Sequence, residues 1–308
     1  MSIKMKFRGH ETFFIRKGWL HKGMKNIQND AALFINKEPL PVDVLGMGNN
    51  MVKSLRYWMQ VVGLTTEPKS GKRLQQVTDL GKIMYNNDPY FEELGTLWLL
   101  HYNLAKNIEN ATSWYFFFNE FQMQEFKKED FCLALKKYAS IHSESEIAES
   151  SFESDFDCLM GTYISRAKSN PEKIHPENNI DSPLGELNLV DIKDKREKIY
   201  TKVIPPKASI HPLIALAIIV DNAENKEIKI QTLLKEKNHI GKLFNLDMIS
   251  LMDLLNKIER MGYISVIRTA GLDVVRIKTE WTFLECVEQY YNAINSLGGE
   301  WNERTAEK

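Results

Sequence analysis

The sequence predicts a mainly α-helical fold with small β wings, in which two winged helix-turn-helix modules flank a helical bundle. Three observations predict it. A short helical turn, a polar-faced helix and a basic hairpin follow one another over residues 42–78. The same order returns after residue 211, and the stretch between residues 90 and 166 has helical periodicity throughout. The expected domains are residues 1–85, a basic segment with the first winged helix; 86–170, the bundle; 171–208, a linker with a small hairpin; and 209–308, the second winged helix.

Taken in order, residues 7–20 are dense in aromatics and glycines and read as extended chain, then a turn. A helix is expected over residues 19–34, ending before Pro39 and Pro41, whose fixed backbone angles suit a turn. After a helical turn at residues 42–45, Gly46-Met47-Gly48 supplies the freedom for a sharp reversal, and Asn49 or Asn50 is the expected N-cap of the next helix. Val52, Leu55, Trp58 or Met59 and Val62 recur at helical spacing, while Asn50, Lys53, Arg56 and Gln60 project the other way, and Gly63 ends the helix. Residues 64–67 and 73–78 read as two strands around the basic turn 68–72, and a further helix starts at Asp79.

Bundle helices are expected over residues 91–107, 112–121, 128–140 and 152–168. The aromatic run from Trp114 to Phe118 is too contiguous for a solvent-facing stripe and reads as core. Residues 169–206 are rich in Asn, Pro, Asp and Lys, with apolar pieces at 184–190 and 198–204. The second module comprises helices at 212–221, 230–237 and 247–261, the hairpin 262–278 and a closing helix at 281–294. On its third helix Met248, Leu251, Leu255, Ile258 and Met261 share one face.

The 308 residues, 43% hydrophobic and 26% charged, suffice for two or three compact domains. Cys132, Cys158 and Cys286 stand far apart, which argues against a disulfide framework or a thiolate zinc site. With no signal-like apolar run at its start and no apolar stretch near the roughly 20 residues of a membrane span, the chain is expected to be cytoplasmic. The formal net charge of -1 hides an asymmetry: residues 1–85 carry 14 basic and 6 acidic residues, whereas residues 86–170 carry 7 and 14. A polyanion is therefore expected at the N-terminal end.

In the first module Asn49, Asn50, Lys53, Arg56 and Gln60 are types that read base edges or phosphates, and Lys69, Lys72 and Arg73 of the wing would meet phosphates. A winged helix can equally serve as a protein-interaction module. The third helix of the second module exposes Asp253 and Glu259 beside Lys257 and Arg260, which favours dimerisation or scaffolding, although Arg268, Arg276 and Lys278 keep a peripheral DNA contact open. Arg8, His10, Glu11, Arg16 and Lys17 crowd ionisable groups into the aromatic opening segment. His10 with Glu11 could make an acid–base pair or half a metal site; the favoured alternative is Glu11 satisfying Arg or backbone donors. Phosphate-loop, dinucleotide-binding, HExxH and GxSxG patterns are absent, so no cofactor, metal or catalytic residue is expected.

Phe7-Arg8-Gly9-His10-Glu11-Thr12-Phe13 with Arg16-Lys17-Gly18-Trp19-Leu20, the run from Gly46 to Trp58, and Asp181-Ser182-Pro183-Leu184-Gly185-Glu186-Leu187 resemble hallmarks of the bacterial family catalogued as domain of unknown function 4007, DUF4007. The resemblance implies a gene neighbourhood of phage defence and DNA phosphorothioation, with sulfur-transfer enzymes and ATPases as partners. The resulting expectation is a non-enzymatic accessory protein that binds double-stranded DNA through its first winged helix, with homodimerisation as one use of the second. The alternatives are a docking adaptor within a defence complex and a metal-dependent nuclease using His10 and Glu11.

Overall fold

The computed structural model describes residues 4–68, 71–142, 146–164, 181–269 and 272–296. It is mostly helical with small antiparallel sheets, as expected, and divides into two compact units, Met1–Val203 and Ile204–Lys308. The expected boundaries at 85 and 170 thus fall inside the first unit. No helix among the described residues is long and apolar enough to cross a membrane.

The first unit opens with helix α1 (Trp19–Asn29). It ends earlier than residue 34 because Asp30 turns extended and its carboxylate accepts the Ala32 amide at 2.8 Å, diverting the chain into a 3-10 turn at Leu33–Ile35. Helices α2 (Pro41–Leu45) and α3 (Asn49–Val61) follow, then strands β1 (Thr65–Thr66) and β2 (Gln76–Val77), and helix α4 (Asp79–Asn87). Thr78 caps α4 by accepting the Gly81 amide at 2.9 Å. Gly81 packs so close to the Leu64 carbonyl that an added Cβ would lie 2.4 Å from that oxygen, which fixes α4 against the hairpin.

Helices α5 (Leu94–Lys106) and α6 (Thr112–Asn119), strand β3 (Glu125–Phe126), and helices α7 (Lys128–His142) and α8 (Glu149–Tyr163) form the bundle. Residues 165–168 of the last expected helix lie outside the described residues. Helix α5 is apolar on nearly every side and correspondingly buried. The aromatic run from Trp114 to Phe118 is buried throughout, with Phe117 edge-on to Phe118 at 4.9 Å between ring centres.

Of the linker with a small hairpin expected over residues 171–208, the hairpin is present, but residues 181–203 are packed core and not linker. Strand β5 (Ile199–Lys202) pairs with β4 (Val190–Asp194) on one side and with β3 on the other. Leu184, Leu187 and Leu189 are fully buried, so apolar burial and strand pairing make this segment part of the first unit's core. Residues 171–180 lie outside the described residues.

The second unit contains helix α9 (Pro212–Asp221), strand β6 (Glu227–Lys229), helices α10 (Ile230–Lys235), α11 (Ile240–Leu243) and α12 (Met248–Arg260), strands β7 (Ile264–Thr269) and β8 (Leu272–Ile277), and helix α13 (Phe283–Ser296). Its sheet has the order β6-β8-β7. On α12 the buried side chains are Ser250, Leu251, Leu254, Leu255 and Ile258, whereas Met248 and Met261, expected on the inner face, are exposed at the helix ends. His211 caps α9 by accepting the Leu213 amide on Nδ1 at 3.1 Å. Burial, with a smaller contribution from Lys257, pushes its imidazole down to about 4.

Candidate nucleic-acid interface

The two-glycine turn before α3 works because Gly46 adopts a left-handed conformation (φ 59°), closing α2, while Gly48 is extended and leads into α3. Gly48, not Asn49 or Asn50, is therefore the N-cap, and no side chain caps this end. Both asparagines already lie on the first turn of the helix, exposed together with Lys53. The first turn carries no acidic residue, so its free amides and the positive end of the helix dipole face no internal carboxylate on that turn.

The opposite face of α3 is held by the opening segment. Trp58 Nε1 and Ser54 Oγ both donate to the Phe13 carbonyl, at 2.9 and 3.2 Å. A Cβ on Gly9 would lie 2.4 Å from the Tyr57 ring, so only glycine allows this approach. Lys22 Nζ donates to the Leu45 carbonyl at 2.9 Å, satisfying an acceptor left over at the end of α2.

Arg56 and Gln60, expected to face a partner with Lys53, are engaged internally. Arg56 Nε donates to Glu67 Oε1 at 2.5 Å and Gln60 Nε2 to the same oxygen at 2.7 Å. Gln75 Nε2 donates to it as well, and Thr65 Oγ1 donates to Gln75 Oε1 at 2.6 Å. Glu67 thereby ties α3 to both arms of the hairpin. Sequence reasoning missed Glu67 and Gln75; the available signal was a lone carboxylate at the edge of a basic turn. Lys72 and Arg73 are exposed on the hairpin, and Lys69 lies outside the described residues.

The opening segment is structural at its centre. His10 is fully buried, and its partner is Asp155 of α8 at 2.9 Å, not its neighbour Glu11. The Thr12 amide donates to His10 Nδ1 at 3.1 Å, which fixes Nε2 as the protonated nitrogen facing the carboxylate. Asp155 also accepts the Arg8 amide at 2.8 Å and Ser113 Oγ at 2.5 Å. This satisfied carboxylate holds a tight loop in which Arg8, Glu11 and Thr12 all have positive φ (55°, 49° and 68°), a costly conformation for residues other than glycine. Arg16 lies over the rings of Phe13 and Trp19, at 5.4 and 5.2 Å. Lys17 meets residues 181–187: its amide donates to the Asp181 carbonyl at 3.0 Å and its exposed ammonium pairs with Glu186 at 2.5 Å. The three sequence motifs therefore converge, with the opening segment bridging α3 and the 3-10 turn Pro183–Leu187.

In the second unit, Asp247 caps α12 by accepting the Ser250 amide at 2.7 Å, and Asp253 pairs with Lys207. Glu259 accepts the Val266 amide at 2.7 Å, and Arg276 pairs with Glu227 at 2.7 Å. Arg268 and Lys278 are exposed. Among the described residues, no group of three or more His, Cys, Asp or Glu is arranged to hold a metal ion.

A family model described as a protein of unknown function, DUF4007, matches residues 7–291, and the chain belongs to that family. No curated protein matches it. Two solved structures share its fold. One is described as the SspB crystal structure (24% identity, TM-score 0.82) and the other as the magnesium ion-bound SspB crystal structure (23% identity, TM-score 0.82); each covers 96% of this chain and 90% of its own.

Proposed function

We propose that this member of the DUF4007 family is a non-enzymatic accessory protein that binds duplex DNA, and that both of its helix–hairpin assemblies are winged helices. In the first, α2 and α3 are the helix-turn-helix, the N-terminal half of α3 enters the major groove, and the β1–β2 hairpin is the wing. The observation that carries this reading is the exposure of Asn49, Asn50 and Lys53 on an acid-free first stretch of α3, together with exposed Lys72 and Arg73 on the hairpin. Asparagine can pair with an adenine edge, lysine and arginine with phosphate, and uncapped helix amides also suit a phosphate oxygen. In the second winged helix the acidic groups of α12 and its exposed Met248 and Ile249 support a scaffold or dimerisation role. The proposed partners are sulfur-transfer enzymes and ATPases of a DNA-modification or phage-defence system, the neighbours that the family resemblance implies.

The test is binding of a labelled duplex across a salt series. Replacing Asn49, Asn50 and Lys53 with Ala should weaken binding at least about tenfold, the loss expected for one well-made base contact and one phosphate contact. Unchanged affinity would remove α3 as the reader. Arg56 is left intact in this variant because its loss would also break a bond by which Glu67 ties the hairpin to α3.

One observation favours a second reading, in which DNA engagement leads to magnesium-dependent nicking: a solved structure with this fold is described as magnesium ion-bound. Magnesium is commonly held by one or two carboxylates, water and the substrate phosphate, so it does not require a three-ligand cluster. Conversion of supercoiled plasmid to the nicked form on adding Mg²⁺ would establish this reading over the non-enzymatic one, and intact plasmid would retain the latter.

A further inference from the structure

We infer that the DNA-facing surface of the first unit extends onto the N-terminal strand, where Lys4 and Lys6 join Arg56 and Arg73 to form a second phosphate site beside the hairpin. This rests on the duplex-binding reading and adds residues that lie outside the helix-turn-helix.

Three segments distant in sequence meet here. The Lys6 amide donates to Thr112 Oγ1 at 2.9 Å, which pins the strand. The Lys6 stem then runs past Gly9, whose added Cβ would lie 3.1 Å from Lys6 Cε, and its ammonium sits 5.3 Å from the centre of the Tyr57 ring. Tyr57 directly follows Arg56 on α3, whose guanidinium is held by Glu67. Burial lowers the Lys6 ammonium below its usual range; Lys4 lowers it further, Glu67 opposes, and Arg56 and Arg73 add to the lowering. Lys4, Arg56, Arg73 and Glu67 therefore all lie within electrostatic reach of Lys6.

That carboxylate is saturated on one oxygen by Arg56, Gln60 and Gln75. A half-buried guanidinium tied to Glu67, beside two exposed lysines and an exposed arginine, suits a phosphate diester that would relieve the mutual repulsion of these cations. Duplex DNA is the occupant because the neighbouring α3 and hairpin present the residues already assigned to it; a free phosphate would have no use for base-reading asparagines.

The experiment uses the full chain and a short labelled duplex, measuring the slope of log affinity against log salt. Each phosphate-contacting lysine removed should reduce the slope by about 1. Lys4→Ala/Lys6→Ala is therefore expected to flatten it by about 2, and the Lys6 amide bond to Thr112 persists in that variant and keeps the strand in place. Lys4→Arg/Lys6→Arg should recover the slope. A wild-type protein that binds duplex, with an unaltered slope in the Ala variant, would overturn this site and leave α3 as the reader. No duplex binding even at low salt would overturn both.

Discussion

Helix α3 in the first unit presents Asn49, Asn50 and Lys53 to solvent at its N-terminal end, whereas α12 in the second begins with exposed Met248 and Ile249 behind an aspartate cap. Both helices bury an apolar face and lead into an antiparallel hairpin. Their outer faces carry different chemistry. The first hairpin is short, two residues per strand, and is held to its helix by the Glu67 hub; the second has six residues per strand and a third strand beside it. One order of helix and hairpin thus carries a polar, basic outer end in the first unit and a partly apolar one in the second.

The largest effect expected of this comparison concerns what supports each helix. The opening segment straps α3, and that strap is anchored on Asp155. Asp155→Ala removes the acceptor for His10, Arg8 and Ser113 at a buried site and should cost about 3–5 kcal/mol of stability by chemical denaturation. Hydrogen exchange should report the loss in the first unit and leave protection of α9 and α12 unchanged. A loss under about 1 kcal/mol would mean that the strap is held elsewhere.

The second unit should be the acid-sensitive one. His211 titrates at about 4 in the folded unit against an ordinary value of 6.5, so between these pH values the unfolded chain binds the extra proton. Its contribution, up to roughly 3 kcal/mol, is fully present above about pH 6.5 and lost as the pH falls to about 4. Protonation of Nδ1 also removes the acceptor for the Leu213 amide. Denaturation followed by exchange within α9 should become flatter with pH in His211→Ser, which keeps an N-cap oxygen. An equally steep profile in that variant would assign the acid sensitivity to other groups.

The smallest effect sharpens the contrast between exposed and buried pairs. Arg276 and Glu227 link neighbouring strands β8 and β6, but both are about half exposed. Arg276→Ala should therefore change stability by less than about 1 kcal/mol in a thermal melt. A loss several times larger would indicate that this pair bears on the sheet far more than an exposed pair can.

Helical periodicity made most of the fold legible: α2, α3, α5, α9 and α12 start and stop within a few residues of their expected positions, since each combines an apolar face with glycine, proline or asparagine at its ends. The hairpin within residues 181–203 was legible but its burial was not, because it depends on β3, some 75 residues before β5, and local composition carries no record of such pairing. The exposed candidates Asn49, Asn50, Lys53, Lys72 and Arg73 followed from patterning alone. Arg56 and Gln60 did not, because their helix position is half-exposed and only the folded hairpin brings Glu67 within reach. His10 was legible as a polar group in an aromatic segment, but its partner Asp155 stands 145 residues away on another helix.

The central claim, that the first helix–hairpin assembly is the duplex-binding face, is tested most directly by one titration: labelled duplex against wild type and Asn49→Ala/Asn50→Ala/Lys53→Ala across salt, with Arg268→Ala/Lys278→Ala as the matched change in the second unit. The account predicts at least about a tenfold loss for the first variant and less than about threefold for the second. Equal losses, or a larger loss from the second unit, would contradict it.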